Sequence, residues 1–116
     1  MPLVLVGHKA AVPSWTLDRV KETLRIRVAE QLDCPEDPVK PEHVAIWFLD
    51  LGDRGVQDTD LGVVIFTGFY PTRVNRLQDA MEQIGAHVIE ADDTLRCFVW
   101  ILPQENAAFG IFVANR

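Results

Sequence analysis

The chain has 116 residues, of which 48% are hydrophobic and 24% charged, and a formal net charge of −6. That length and apolar share fit one compact domain with its own core, and exclude a disordered tail or a disulfide-stapled mini-protein. No apolar run reaches the roughly 20 residues of a membrane-spanning helix. No basic leader precedes an apolar stretch, so a cytoplasmic location is expected. The acidic balance argues against nucleic acid or a membrane surface as partner, since both need a basic face. A small anion held by a few local arginines is compatible with it.

In chain order, Leu3-Val4-Leu5-Val6 reads as a short buried strand and Gly7 to Pro13 as a loop. Ser14 or Thr16 is a candidate cap, with Asp18 in the first turn. Leu17, Val20, Leu24, Val28 and Leu32 recur at three- and four-residue spacing, which predicts an amphipathic helix. Pro35, Pro38 and Pro41 keep the next connection from being helical. His43 to Leu51 is continuously apolar and rich in β-branched and aromatic residues, so it is read as a second buried strand. The pattern then starts again. Gly62 to Tyr70 predicts a strand, and Pro71 suits a helix first turn. Val74, Leu77, Met81, Ile84 and Val88 make a second helical stripe, and Arg96 to Leu102 another strand. Pro103 to Ala108 reads as a polar turn, and Phe109 to Val113 as a short closing strand.

The expected fold is an α/β two-layer sandwich: two tandem β-α-β units forming a four-stranded mixed sheet with two helices on one face. It is one domain over residues 1–116, with pseudo-repeat halves 1–58 and 59–116. A helix between two strands of one sheet implies parallel pairing and a right-handed crossover. The order also fits a ferredoxin-like sandwich, and periodicity does not separate the two. The second face of the sheet is apolar as well. A wet face is the rule for such sheets, so another copy of the chain is expected to cover it.

Fold alone does not give function, so the chemistry has to come from particular residues. Cys34 and Cys97, and His8, His43 and His87, share no ligand spacing, so no metal is expected. No phosphate loop or dinucleotide fingerprint is present, and no cofactor is expected. Arg73 and Arg76 lie three residues apart at the start of the second helix, where cations oppose the helix dipole. A local rule broken without visible gain is where function is expected; here a carboxylate gripped by guanidinium forks would be that gain. Two surface arginines paired with Asp79 or Glu82 are the plainer alternative. Finally, the chain begins Met1-Pro2 and enters a strand at once. With Met1 removed, Pro2 carries a secondary amine, and apolar surroundings lower the pKa of any cationic acid. Pro2 is then a candidate general base, although taken alone a Met-Pro start is common and reads first as an accident of the terminus.

Several segments together carry a resemblance. Pro2, the helix through Lys21-Glu22-Thr23-Leu24, the turn Leu32-Asp33-Cys34-Pro35, and the strand after His43 resemble the 4-oxalocrotonate tautomerase family. Ala107-Ala108-Phe109-Gly110-Ile111 is similar to that family's closing Phe-Gly-Ile segment. The double length resembles the fused members of the tautomerase superfamily. The resemblance implies Pro2 as catalytic base, Arg73 as the carboxylate-binding arginine of the helix start, and Arg76 as its helper. Thr16 stands at the matching place in the first half. Arg96 lies two residues before the place of a second family arginine. Read from the residues themselves, Phe109 and Trp100 are core or oligomer interface, and also candidate walls of an apolar pocket around Pro2. The activity implied is a cofactor-independent tautomerase or isomerase of small 2-oxo or 2-hydroxy-enoic acids, in a homo-oligomer, as a trimer. Two alternatives stand beside it. One is a hydratase or dehalogenase of 3-substituted acrylic acids with Pro2 as acid, for which Tyr70-Pro71 replaces a typical extra arginine and Glu105 is the sole nearby carboxylate. The other is a non-catalytic ferredoxin-like binding or regulatory domain.

Overall fold

A computed structural model of the chain describes residues 2–53 and 59–105. Its elements are β1 (Leu3–His8), α1 (Ser14–Leu32), a 3-10 turn (Pro41–His43), β2 (Ala45–Asp50), β3 (Leu61–Gly68), α2 (Pro71–Val74), α3 (Leu77–Ala91) and β4 (Cys97–Gln104). The strands form one four-stranded sheet in the order β2-β1-β3-β4. β1 and β2 are parallel, β3 and β4 are parallel, and β1 and β3 meet antiparallel at the centre. Each parallel pair is adjacent and joined through a helix. A split β-α-β arrangement would put another strand between them, so the fold is the tandem form.

Strand alternation assigns every side chain to a face. Val4 and Val6 of β1, and Leu61, Val63 and Ile65 of β3, point to the helices and are buried. They meet Val20, Leu24, Val28 and Leu32 of α1 and Ala80, Ile84 and Val88 of α3 in one core. Fully burying a side chain of this size stabilises by about 1.5–3 kcal/mol. The opposite face carries Leu3 and Leu5, Trp47 and Leu49, Val64 and Phe66, and Phe98 and Trp100. On it Trp47 and Trp100 are 62% and 61% exposed. Gly62 lies on this face because the Phe98 ring crosses it: a Cβ there would stand 2.4 Å from two ring carbons.

Local structure departs from the expectations at several ends. α1 begins at Ser14 behind Pro13, with no side-chain cap. Thr16 is drawn inward instead, and its hydroxyl donates to Asp92 Oδ2 at 3.0 Å. The second helix is not continuous from Pro71: it breaks between Val74 and Leu77, at Asn75 and Arg76. β4 runs through Pro103 to Gln104, so the expected turn at Pro103 is corrected. An edge strand tolerates proline, because one side of its backbone has no ladder partner. The expected closing strand at Phe109 to Val113 lies outside the described residues.

Two outcomes test this packing. Leu24→Ala, at a fully buried position, is expected to cost about 2–5 kcal/mol in urea unfolding. Asp92 is held below the usual carboxylate range, first by the Thr94 hydroxyl and further by Thr16. Its contribution is therefore present above the ordinary aspartate pKa and is lost as pH falls through the lowered value. Thr94→Ala is expected to raise the Asp92 pKa in an NMR titration.

Candidate active site

Pro2 is buried at the start of β1, a central strand, and its carbonyl accepts from Ala45 N at 3.1 Å. Leu3 pairs with Phe66 across the antiparallel ladder. One further step of that register sets Pro2 opposite Thr67, on the helix-facing side. Cβ atoms of directly opposed residues lie about 4.5–5.5 Å apart. Thr67 is itself buried and accepts a hydrogen bond from Arg73 Nη1 at 3.0 Å.

Arg73 departs from its expected role. It is 1% exposed, and its guanidinium is saturated by the protein. Nε donates to the Leu32 carbonyl at 2.7 Å and Nη1 also to the Gly68 carbonyl at 3.1 Å. Nη2 donates to Asp37 at its carbonyl, 3.1 Å, and at Oδ2, 2.9 Å, the latter an ion pair. The Tyr70 ring lies 5.2 Å from the guanidinium carbon. Guanidinium has five N–H donors and all five are engaged, so none is left for a substrate carboxylate. The reason is geometric. The four-residue α2 turns Arg73 inward, over the C-terminal end of α1, rather than outward along a continuous helix.

The other two candidate arginines lie at opposite ends of the sheet. Arg76 is exposed at the Pro2 end, with Nη2 donating to the Asp33 carbonyl at 2.7 Å. It borders a shallow cleft with Cys34, Pro38 and Thr72. Arg96 precedes Cys97, which pairs with Leu61, the partner of His8. It is therefore at the far end of β1, about 20 Å from Pro2 by strand rise, and does not join Pro2 within one chain. Phe109 lies outside the described residues.

The cavities do not mark Pro2. One of about 190 Å³ opens on the exposed face at the far end, lined by Leu5, Leu49, Leu51, Val64 and Phe98. Its walls are mainly apolar, with His8, Lys9 and Asp60 at the rim, and it lies at the end of β1 opposite Pro2, so the buried proline, and not cavity size, defines the candidate site. Among the described residues, no three His, Cys, Asp or Glu side chains gather to hold a metal ion, and no helix is long and apolar enough to cross a membrane. Burial pushes the Cys97 thiol up to about 11. The Thr72 hydroxyl, 2.7 Å from Glu36, holds that carboxyl below its ordinary range.

Asp37 and Thr67 were not picked out from the sequence. Thr67 had a signal: it is the lone side-chain hydrogen-bonding group between Gly62 and Phe69, and a buried polar group needs a partner. Asp37, in a proline-rich loop, had none. Removing the cation of the pair leaves Asp37 and three further acceptors unmatched. Arg73→Ala is therefore expected to cost about 3–5 kcal/mol in equilibrium unfolding.

No family model matches the chain, and no curated protein does. Solved structures do. A fused 4-OT, described as an asymmetric trimer, superposes with a TM-score of 0.66 at 18% identity, over 94% of this chain and 91% of that one. Leishmania major MIF2 gives 0.64 at 16% identity, over 94% and 93%. Pt0534, inactivated by 2-oxo-3-pentynoate, gives 0.60 at 16%, over 94% and 90%. These similarities span both β-α-β units, and the chain accordingly has the fold of the tautomerase superfamily.

Proposed function

We propose that the chain is a cofactor-independent tautomerase or isomerase of small 2-oxo or 2-hydroxy-enoic acids, with Pro2 as its general base once Met1 is removed. The observation that carries this reading is the burial of Pro2 at the start of a central strand, in a fold shared with 4-OT structures. A secondary amine held there is surrounded by low dielectric, which favours its neutral form. It would take a proton from the enol oxygen or an adjacent carbon, leaving a dienolate, and return that proton to another carbon of the conjugated system. Nothing is oxidised, and no cofactor is needed.

The carboxylate then needs a cation other than Arg73. Arg76 is exposed at the Pro2 end and is the first choice. Arg96 belongs to the opposite end, so it can serve only the Pro2 of a neighbouring copy. That arrangement agrees with an apolar sheet face carrying Trp47 and Trp100 at the surface. An exposed patch of this kind marks an interaction surface. We assign it to homo-oligomer contacts, as a trimer by analogy with the fused 4-OT trimers. The two halves, 1–58 and 59–116, would then contribute different ends of each site.

The test is the mass of the N-terminal peptide after exposure to a 3-halopropiolate or 2-oxo-3-pentynoate, the latter because it inactivates Pt0534. One adduct on a Met-free Pro2 is expected, together with turnover of 2-hydroxydienoates. Pro2→Ala is expected to lower kcat/KM by about a hundredfold or more, the range for loss of a positioned base. Arg76→Ala is expected to raise KM, and Trp100→Glu to shift sedimentation to a smaller species. A retained Met1, or a Pro2 indifferent to both reagents, would make the chain a non-catalytic binding domain.

A further inference from the structure

We propose that the open face of the sheet, at the end opposite Pro2, carries a binding site for a small neutral aromatic alcohol of phenol size. The ring lies in the apolar cavity over Gly7 and Gly62, and the hydroxyl bridges Lys9 and Asp60. The site is independent of the role given to Pro2 and goes beyond it.

The cavity exists because two side chains are missing from the middle of the sheet. Leu49, Gly7, Gly62 and Phe98 are successive partners across β2, β1, β3 and β4, so they form one row on the open face. The two directly opposed glycines occupy its centre. Glycine inside a strand weakens it, and marks a place where a ligand or another backbone comes close. Neighbouring side chains lean in as walls: a Cβ on Gly62 would stand 2.4 Å from the Phe98 ring, and one on Gly7 2.9 Å from Leu51 Cδ1. Leu5 and Val64, paired in the next row of the same face, close one end. The space left is about 190 Å³. Apolar cavities of roughly 150 Å³ take up benzene, so this one holds a single six-membered ring.

The other end of the cavity is polar. Lys9 stands two residues after Gly7 and Asp60 two before Gly62, so alternation keeps both on the open face. Lys9 Nζ is 3.8 Å from Asp60 Oδ1. That gap is too long for a direct hydrogen bond, and one oxygen about 2.8 Å from each atom closes it. Asp60 is held in place by β4: its Oδ2 accepts from the Arg96 N–H at 2.9 Å, and its own N–H donates to the Arg96 carbonyl at 2.8 Å. An ammonium has three donors and a carboxylate about four acceptor positions, so both have capacity for a hydroxyl. His8 also reaches the rim, with Nδ1 engaged by the Lys9 carbonyl at 2.9 Å. Arg96 is exposed and lies outside the lining. One cation and one anion at the rim offset each other, which favours a neutral polar group over a carboxylate or an amine.

The test is an NMR titration of the full chain, labelled at Leu and Val methyls, with phenol. Saturable shifts of the Leu5, Leu49 and Val64 methyls are expected, with a Kd of about 1 mM or below for so small a ligand. Benzene and benzoate are each expected to bind about tenfold more weakly, the first lacking the hydroxyl and the second repelled by Asp60. Lys9→Met keeps most of the side-chain length and removes the charge. It is expected to bring phenol down to the level of benzene and to leave benzene unchanged. Leu49→Trp is expected to fill the cavity and abolish binding of all three. Absence of saturable binding, as when a neighbouring copy fills the cavity, overturns the proposal. So does benzoate binding more tightly than phenol, an unchanged phenol affinity in Lys9→Met, or a folded Leu49→Trp that binds phenol as before. If Lys9→Met fails to fold, the ratio of phenol to benzene affinity decides, and a ratio near one overturns the bridging hydroxyl and the proposal with it.

Discussion

Five hydrogen bonds from the Arg73 guanidinium tie together the end of α1, the loop through Asp37 and the end of β3. Taking an arginine out of water is costly, and the cost is offset only when every donor finds an acceptor and the charge finds a partner. Both conditions hold, and among the described residues no buried side-chain nitrogen or oxygen lacks a hydrogen bond. A group so completely engaged does not move to meet a ligand. It crosslinks this end of the sheet to the end of α1 and to the loop through Asp37.

The sheet around it has two inequivalent ends. β1 and β3 run antiparallel at the centre, so the start of one strand lies beside the finish of the other. At the start of β1 stands Pro2, buried next to Thr67. At the start of β3 stands Asp60, 3.8 Å from Lys9 Nζ and accepting from the Arg96 backbone N–H at 2.9 Å. The two β-α-β units share a topology and differ in what opens them: a buried proline in one, and in the other a carboxylate anchored by its neighbours. The two faces are equally unlike. One is closed by helices, and the other presents Trp47, Leu49 and Trp100 to the surroundings.

Much of this was legible in the residues. The three- and four-residue spacing of Val20, Leu24, Val28 and Leu32 is a local property, since a helix of 3.6 residues per turn puts them on one face whatever lies beyond. The same holds for Ile84 and Val88, and for the runs that became β2, β3 and β4. The β-α-β-β-α-β order follows from the alternation of these periods, whereas the tandem form was decided by which strands pair. Pro2 is a candidate from the residues alone, and the fold adds its burial beside a central strand.

The task of Arg73 was decided elsewhere. Its neighbours in sequence point to a helix start and an exposed cation, and a carboxylate ligand is a fair reading of that. Its hydrogen-bonding partners, Leu32 and Asp37, are 41 and 36 positions away, and no local periodicity encodes such a meeting. Arg96 shows the same limit, because strand register alone sets it at the end opposite Pro2. Helical and strand periods are written into short stretches of chain and survive any tertiary arrangement. Which buried charge meets which acceptor, and which end of a sheet a side chain occupies, exist only once the strands are paired.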